Sequence, residues 1–217
     1  KGHTQTQIAN QVFHSDYQKD ITYKYLLSGN DVKRYSITWN GIRWISYGPW
    51  LGAPREKRFF SNKRILVKQI IDWTTKRIWA SITSDELYNT QNAFNLLAKE
   101  NWNIEYILGI INSKLINFYH RKKFLDEFKM RFQKILIKDA RRIPIKQIDF
   151  TNPKEVKQHD RMVALVERML ELHKRTPQTP QEQERLTAEI RATDTAIDKL
   201  VYELYDLTEE EIRIVEG

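Results

Sequence analysis

The chain has 217 residues, enough for one large domain or two small ones, and its hydrophobic fraction of 41% with 12% aromatic residues predicts a globular protein. It has no cysteine, which excludes disulfides, thiolate zinc sites and a cysteine nucleophile. The sequence contains no apolar run of about 18 residues and no apolar signal region at its start, so we expect no membrane partner, and the absence of cysteine fits a reducing cytoplasm. Because it begins at Lys1 rather than Met, we expect a fragment of a longer protein.

The charge is distributed unevenly along the chain. The net charge is +8, but residues 1–150 contain 26 Lys and Arg against 13 Asp and Glu, a net +13, whereas residues 151–217 contain 10 against 15, a net −5. This asymmetry predicts two regions with different partners, divided near residue 150. A strongly basic first region favours a polyanion such as nucleic acid.

The first 83 residues carry β signals. Tyr23–Leu27 is a short β-prone run that stops at the turn signal of residues 28–31. Residues 34–39 and 43–47 flank Asn40-Gly41, the strongest short hairpin signal, and are predicted to pair across it.

A second strand pair is predicted from residues 64–71 and 77–82. Apolar residues then recur every three or four positions over residues 104–118, which predicts a single amphipathic helix ending in the basic run of residues 121–123. Residues 132–145 are predicted to form a return strand that ends at Pro144.

The last third of the chain is helical in pattern. Apolar residues line one face over residues 162–173, prolines at 177 and 180 break the pattern, and residues 186–204 follow a heptad spacing. Two such helices predict an antiparallel hairpin, and Thr208 with Glu211 predicts a capping box that begins a last short helix. The predicted fold class is α+β: a β-rich mixed body with a packed helix, followed by an antiparallel α-helical hairpin.

Catalytic signatures are missing from the sequence. It has no glycine-rich cofactor loop, and the Asn-Pro-Pro-Tyr/Phe motif that grips a target adenine is represented only by Asn152-Pro153-Lys154. Glu56 and Asp85-Glu86 lack the spacing of a metal-dependent nuclease. We therefore predict no catalytic residue, no metal site and no cofactor in this chain, and we interpret His120, at a basic helix end, as an imidazolium.

Loop cations are the candidate DNA contacts. Lysine and arginine on loops neutralise phosphates and reach guanine edges in the major groove, although each one is also a common solvated surface charge. The predicted DNA-binding residues are Lys33, Arg34, Arg43, Trp50, Arg55, Lys57, Arg58, Lys63, Arg64, Lys76, Arg77, Lys122, Lys129 and Arg131. Among the tryptophans we predict Trp39 and Trp79 to be core and Trp50, in a Gly/Pro loop, to be exposed.

Several segments together resemble a known family. They are Leu26-Leu27-Ser28-Gly29-Asn30-Asp31-Val32-Lys33-Arg34-Tyr35, Arg64-Ile65-Leu66-Val67-Lys68-Gln69, residues 108–119, Arg142-Ile143-Pro144-Ile145 and residues 197–212. In this order they are similar to the C-terminal specificity domain of TaqI-like restriction–modification enzymes, the target recognition domain that follows an N6-adenine DNA methyltransferase. The resemblance spans roughly residues 20–215.

The resemblance implies a function and partners. It implies a recognition body like that of type I specificity subunits over residues 1–150, with residues 151–217 as a helical spacer or docking region. The implied function is sequence-specific recognition of double-stranded DNA, which directs an N6-adenine methyltransferase, with or without a fused endonuclease, to its site. S-adenosylmethionine is then expected in the catalytic domain of the parent protein. The alternative, from a different class, is an interaction or dimerisation module whose heptad seam docks a catalytic subunit.

Overall fold

The computed structural model describes residues 12–72, 74–125 and 133–217. In chain order its strands are β1 (His14–Ser15), β2 (Tyr23–Leu27), β3 (Val32–Lys33), β4 (Ser36–Ile37), β5 (Trp44–Ser46), β6 (Arg64–Lys68), β7 (Ala80–Thr83), β8 (Tyr88–Asn89) and β9 (Ala93–Leu96). Its α-helices are α1 (Arg58–Ser61), α2 (Ile104–Asn112), α3 (Lys114–Phe124), α4 (Ile137–Ala140), α5 (Pro153–Lys174), α6 (Pro180–Leu204) and α7 (Glu209–Glu216). The α+β class predicted from the sequence is confirmed.

The strands form three small sheets. One has the order β1-β5-β2-β8, with β8 parallel to β2, the second is the β3-β4 pair, and the third has the order β7-β6-β9. In the third sheet β6 is central and antiparallel to both neighbours, with Val67 opposite Ala80 and Phe94. The predicted pairing of residues 64–71 with 77–82 is confirmed, with the two strands at Arg64–Lys68 and Ala80–Thr83.

The hairpin predicted at Asn40-Gly41 is wrong. β4 pairs with the preceding strand β3, whereas β5 pairs with β1 and β2. Asn40 and Gly41 therefore lie in an exposed loop between two sheets. The chain instead turns at Arg34 and Tyr35, and Tyr35 has a φ of 61°. A bulky residue rarely adopts this backbone conformation. Here it is favoured because the Tyr35 ring is 2% exposed in the core and its N–H donates to the Ala80 carbonyl at 2.9 Å.

The single helix predicted over residues 104–118 is two helices. Ser113 has an extended backbone, and its hydroxyl accepts the Ile116 N–H, so it caps the start of α3 directly after α2 ends. Both helices bury apolar residues, so the spacing of apolar residues in the sequence continues across Ser113 and does not reveal the interruption. The return strand predicted over residues 132–145 is also wrong: within 133–145 the structure has one antiparallel bridge, between Ile70 and Lys134, followed by the short helix α4.

The helical hairpin is confirmed. α5 and α6 are joined by residues 175–179, Thr179 caps the start of α6, and the Thr208–Glu211 capping box begins α7. The heptad seam is buried inside this chain, since Thr193, Ile197, Leu200 and Leu204 are all 0–4% exposed. The prediction that the seam itself forms a docking face is therefore wrong, because these residues already pack against one another and against the body.

One core cluster includes residues from both sides of position 150. It contains Val67 of β6, Ile110 of α2, Met162 of α5 and Ile197 of α6. α2 and α5 approach so closely at Gly109 that a Cβ there would lie 2.5 Å from the Met162 sulfur. The division of the chain at residue 150 stays a prediction, but the hairpin and the body are packed through a shared core.

Candidate nucleic-acid interface

Two predicted DNA contacts form an internal ion cluster instead. Arg34 Nη1 lies 2.9 Å from Asp194 Oδ2, Arg77 Nη1 lies 3.2 Å from the same oxygen, and Arg77 Nη2 lies 3.5 Å from Asp198 Oδ2. The Arg34 guanidinium also donates to the Asn112 carbonyl at 3.0 Å. Both arginine side chains are 17% exposed, so the prediction that they bind DNA is wrong: they join the body to α6.

The protonation states in this cluster follow from burial and from the arginines. Burial opposes ionisation of Asp194, but its hydrogen bond and ion pair with Arg34, helped by Arg77, hold the pKa of its carboxyl below the usual value. Asp198 is more deeply buried, and burial raises its pKa although it accepts the Lys114 backbone N–H at 2.8 Å. Asp194 is therefore the ionised partner that both guanidiniums share.

Arg64 is a third correction. Its side chain is fully buried, and it donates to Asn95 Oδ1 and to the carbonyls of Asn62, Asp85 and Leu87 at 2.8–3.2 Å. Burial lowers its pKa to about 10. A guanidinium whose donors are occupied inside the protein cannot contact DNA, so Arg64 organises the loop before β8 rather than a binding surface.

The remaining described candidates are exposed, and the structure separates them into paired and unpaired cations. Lys57 is paired with Glu86 at 3.2 Å, Arg58 with Glu56 at 2.9 Å, and Lys63 with Glu105. Lys33, Arg43 and Arg55 are exposed and take part in none of the ion pairs among the described residues.

The other candidates fall in separate places. Lys76 is exposed at a turn with a φ of 54°, and Lys122 is exposed in the last turn of α3. Lys129 and Arg131 lie outside the described residues. Lys76 and Lys122 therefore lie on elements different from those that carry Lys57, Arg58 and Lys63.

The tryptophans divide differently from the prediction. Trp50 is 44% exposed, as predicted, and lies back over Gly48, where a Cβ would come within 2.3 Å of the indole ring. Trp39 and Trp79, predicted to be core, are only half-buried. Trp39 packs against Tyr25 and Trp44, and the Lys68 ammonium lies over the Trp79 ring.

An exposed aromatic surface that the sequence did not predict lies around Arg43. We call it the aromatic surface and define it by the residues Tyr17, Tyr25, Trp39, Ile42, Arg43 and Trp44. Tyr25 and Trp44 are opposite each other on β2 and β5, and the Tyr25 and Trp39 ring centroids are 4.1 Å apart. Tyr17, Tyr25 and Ile42 are 65%, 42% and 61% exposed.

A cleft of about 450 Å³ opens beside this surface. It is lined by Tyr17, Ile42, Arg43 and Trp44 together with Lys19, among others. His14 is also part of its wall, and burial followed by the charge of Arg43 lowers the His14 pKa, so this imidazole is neutral near pH 7. The net charge of the cleft is therefore set by Lys19, Arg43 and Asp16, which gives a positive excess.

A second missed feature is a lysine–tryptophan pair at the end of β6. The Lys68 ammonium lies 4.4 Å above the Trp79 ring, a cation–π contact, and its pKa is lowered by burial and by the neighbouring charge of Lys33, against the opposite effect of Asp72. Two ammonium groups held near each other attract an anion such as a phosphate. A lysine at the end of an apolar strand, opposite a tryptophan, was the available sequence signal.

His120 corrects the interpretation of the basic helix end. It is 1% exposed, and burial lowers its pKa to about 4, so it is neutral rather than an imidazolium near pH 7. Within the described ranges, no three His, Asp or Glu side chains converge as metal ligands would. None of the helices in those ranges has the length and apolar character needed to cross a bilayer.

Comparison with known proteins identifies the family. The TaqI-like C-terminal specificity domain matches residues 24–145, which is more than half of the chain, and the chain belongs to this family. Among solved structures it is similar to the type IIL restriction–modification enzyme MmeI in complex with DNA, with 12% identity and a TM-score of 0.65. The similarity covers 99% of this chain but 34% of the MmeI chain, so the chain spans about a third of that enzyme. No curated protein matches.

Proposed function

We propose that this chain recognises a specific sequence in duplex DNA on behalf of a restriction–modification enzyme. The observation that supports this most strongly is the fold similarity over 99% of the chain to an enzyme solved with DNA, in a chain whose family is a specificity domain. The net +13 charge of residues 1–150 supports the same conclusion, because neutralised phosphates supply most of the affinity of such domains.

The exposed cations without an ion-pair partner are the residues that we expect to contact phosphates. Lys33, Arg43 and Arg55 have no acidic partner among the described residues, so they contact phosphates without first breaking an ion pair. Lys57, Arg58 and Lys63 contribute less, because each must exchange a carboxylate for a phosphate. The internal arginines Arg34, Arg64 and Arg77 hold the scaffold in place and do not contribute directly.

The catalytic partner is part of the proposal. We infer that the parent protein supplies an N6-adenine methyltransferase domain or subunit that binds S-adenosylmethionine, with or without an endonuclease, and that it acts in the cytoplasm. The support is the family, whose domain follows such enzymes, and the similarity of this chain to only a third of a restriction–modification enzyme. The chain alone is then expected to bind DNA and to leave it chemically unchanged.

A salt titration tests the proposal. The affinity of the chain for a labelled duplex is measured by fluorescence anisotropy at several salt concentrations, and three phosphate contacts predict a slope of log affinity against log salt of about −2.7 or steeper. The Arg43→Ala variant should reduce the slope by about one unit. Lys199→Ala, an exposed lysine on the acidic helix α6, is the matched control and should leave it unchanged. A flat slope, or no binding at low salt, would contradict the proposal.

The competing interaction-module hypothesis loses its main support, because the heptad seam is buried within the chain. Size-exclusion chromatography and a gel shift on the isolated chain still separate the two hypotheses. A stable dimer that shifts no DNA would favour the interaction module, and a monomer that shifts DNA would favour the recognition domain.

A further inference from the structure

The loop between β4 and β5 presents an apolar side chain at its tip. Ile42 is 61% exposed, and it follows Gly41, which has a φ of +84° and open space around the position of a Cβ. The Asn40 side chain accepts the Ile42 N–H at 3.2 Å, which fixes the turn. An exposed aliphatic side chain at a loop tip contributes little to folding.

The base of this loop is anchored rigidly. The Arg43 carbonyl accepts two hydrogen bonds, from Leu26 N–H at 2.9 Å and from Trp39 Nε1 at 3.0 Å. Trp39 is itself held between Tyr25, at a ring distance of 4.1 Å, and Trp44, at 5.1 Å. The aromatic rings therefore support the loop from below, so that its tip is preorganised.

The charge beside the tip fits DNA. Arg43 is exposed and unpaired among the described residues, and Lys19 lines the same cleft as Ile42. Proteins that bend duplex DNA commonly insert an apolar wedge between two base pairs while adjacent cations hold the backbone. The aromatic surface matches this arrangement, with a rigid apolar tip and a cation at the next position.

We propose that Ile42 is a wedge that inserts between two base pairs of bound duplex DNA, with Arg43 holding the adjacent phosphate or base edge. This inference rests on the proposed DNA-recognition function and adds a local unstacking step to it. The wedge gives Ile42 a role in separating base pairs, which neutralisation of phosphates by cations does not accomplish.

The experiment uses 2-aminopurine, whose fluorescence rises when its stacking is lost. The full chain is first used to enrich duplexes from a randomised pool, and 2-aminopurine is then placed at successive positions of the enriched duplex. Wild-type protein should brighten the probe at one base step by several fold. Ile42→Ala should abolish this brightening and weaken binding by about tenfold, the loss expected for one apolar side chain.

The controls separate the possible failures. Ile214→Ala removes an isoleucine with a similar exposure of 58% on α7 and should retain both brightening and affinity. Ile42→Leu keeps an apolar tip and should retain most of the brightening. Binding without brightening at any position, or brightening that survives Ile42→Ala, would overturn the wedge and leave the proposed function standing. Failure to bind any duplex would overturn both.

Discussion

Removing the Asp194 carboxylate is the perturbation that the structure defines most sharply. Asp194 accepts from both Arg34 and Arg77, and all three side chains are at most 20% exposed. Asp194→Ala leaves two largely buried guanidiniums without their shared counterion. Breaking a buried ion pair by removing one partner costs about 3–5 kcal/mol.

The lower end of that range applies here, since Arg34 keeps the Asn112 carbonyl and Arg77 keeps Asp198. For a chain of this size, 1 kcal/mol of unfolding free energy corresponds to about 2–4 °C in Tm, so a loss of about 3 kcal/mol lowers Tm by about 6–12 °C. Thermal unfolding followed by circular dichroism measures this shift. Asp160→Ala, with a side chain that is 69% exposed on α5, is the control and should change Tm by less than about 2 °C.

The pH dependence provides an independent check. The pKa of Asp194 is lowered in the folded state, so its contribution is present above the unfolded value near 3.8 and is lost as the pH falls through the folded value. The Tm difference between wild type and Asp194→Ala should stay constant from pH 8 to about pH 5 and shrink below about pH 4. If Asp194→Ala and Asp160→Ala lower Tm equally at pH 7, the ion cluster does not stabilise the contact between α6 and the body.

A close helix contact, a buried histidine and the predicted cations Lys129 and Arg131 can each be tested by substitution. Gly109→Ala places a Cβ against Met162 and should lower the free energy of unfolding by about 1–3 kcal/mol, which urea denaturation measures. An unchanged urea midpoint would mean that α2 and α5 are not closely packed at this position. Burial lowers the pKa of His120 in the folded protein, so as the pH falls the unfolded chain protonates this imidazole first, and the free energy of unfolding should decrease from about pH 6.5 to pH 4. His120→Gln should flatten this part of the plot of Tm against pH. An unchanged plot would contradict the assignment of this pH dependence to His120. Replacing Lys129 and Arg131 by Ala should weaken DNA binding, as the sequence predicts, and unchanged affinity in the anisotropy assay would remove that segment from the interface.

The sequence predicts best what local chemistry decides. The strand at Tyr23–Leu27, the helical hairpin and the Thr208 capping box all depend on residues close in sequence, and all are present. The family resemblance likewise survives, since it rests on ordered motifs rather than on any single contact.

The failures have a common physical cause, which is that tertiary contacts decide between local alternatives. Asn40-Gly41 forms an ordinary hairpin signal, but Tyr35 makes the turn because its ring is buried and its N–H bonds to Ala80. Ser113 interrupts a continuous apolar pattern because both helices around it face the same core.

The arginines illustrate the same limit for the candidate site. Arg34 and Arg77 lie far apart in sequence, and nothing local shows that both meet Asp194, a residue in the acidic third of the chain. Arg64 cannot be distinguished from a loop cation until the carbonyls around it are placed. Conversely, Ile42 can be proposed as a DNA contact only because folding brings Trp39 and Tyr25 together beneath its loop.

Selection from a randomised duplex pool tests the central claim most directly. Rounds of binding to the isolated chain, followed by sequencing, ask whether this polypeptide alone distinguishes one DNA sequence from another. The account predicts enrichment of a single motif whose affinity exceeds that of the starting pool by at least about a thousandfold and falls steeply with salt. A pool that stays random while the chain binds would contradict sequence recognition, and a chain that retains no duplex would contradict DNA binding itself.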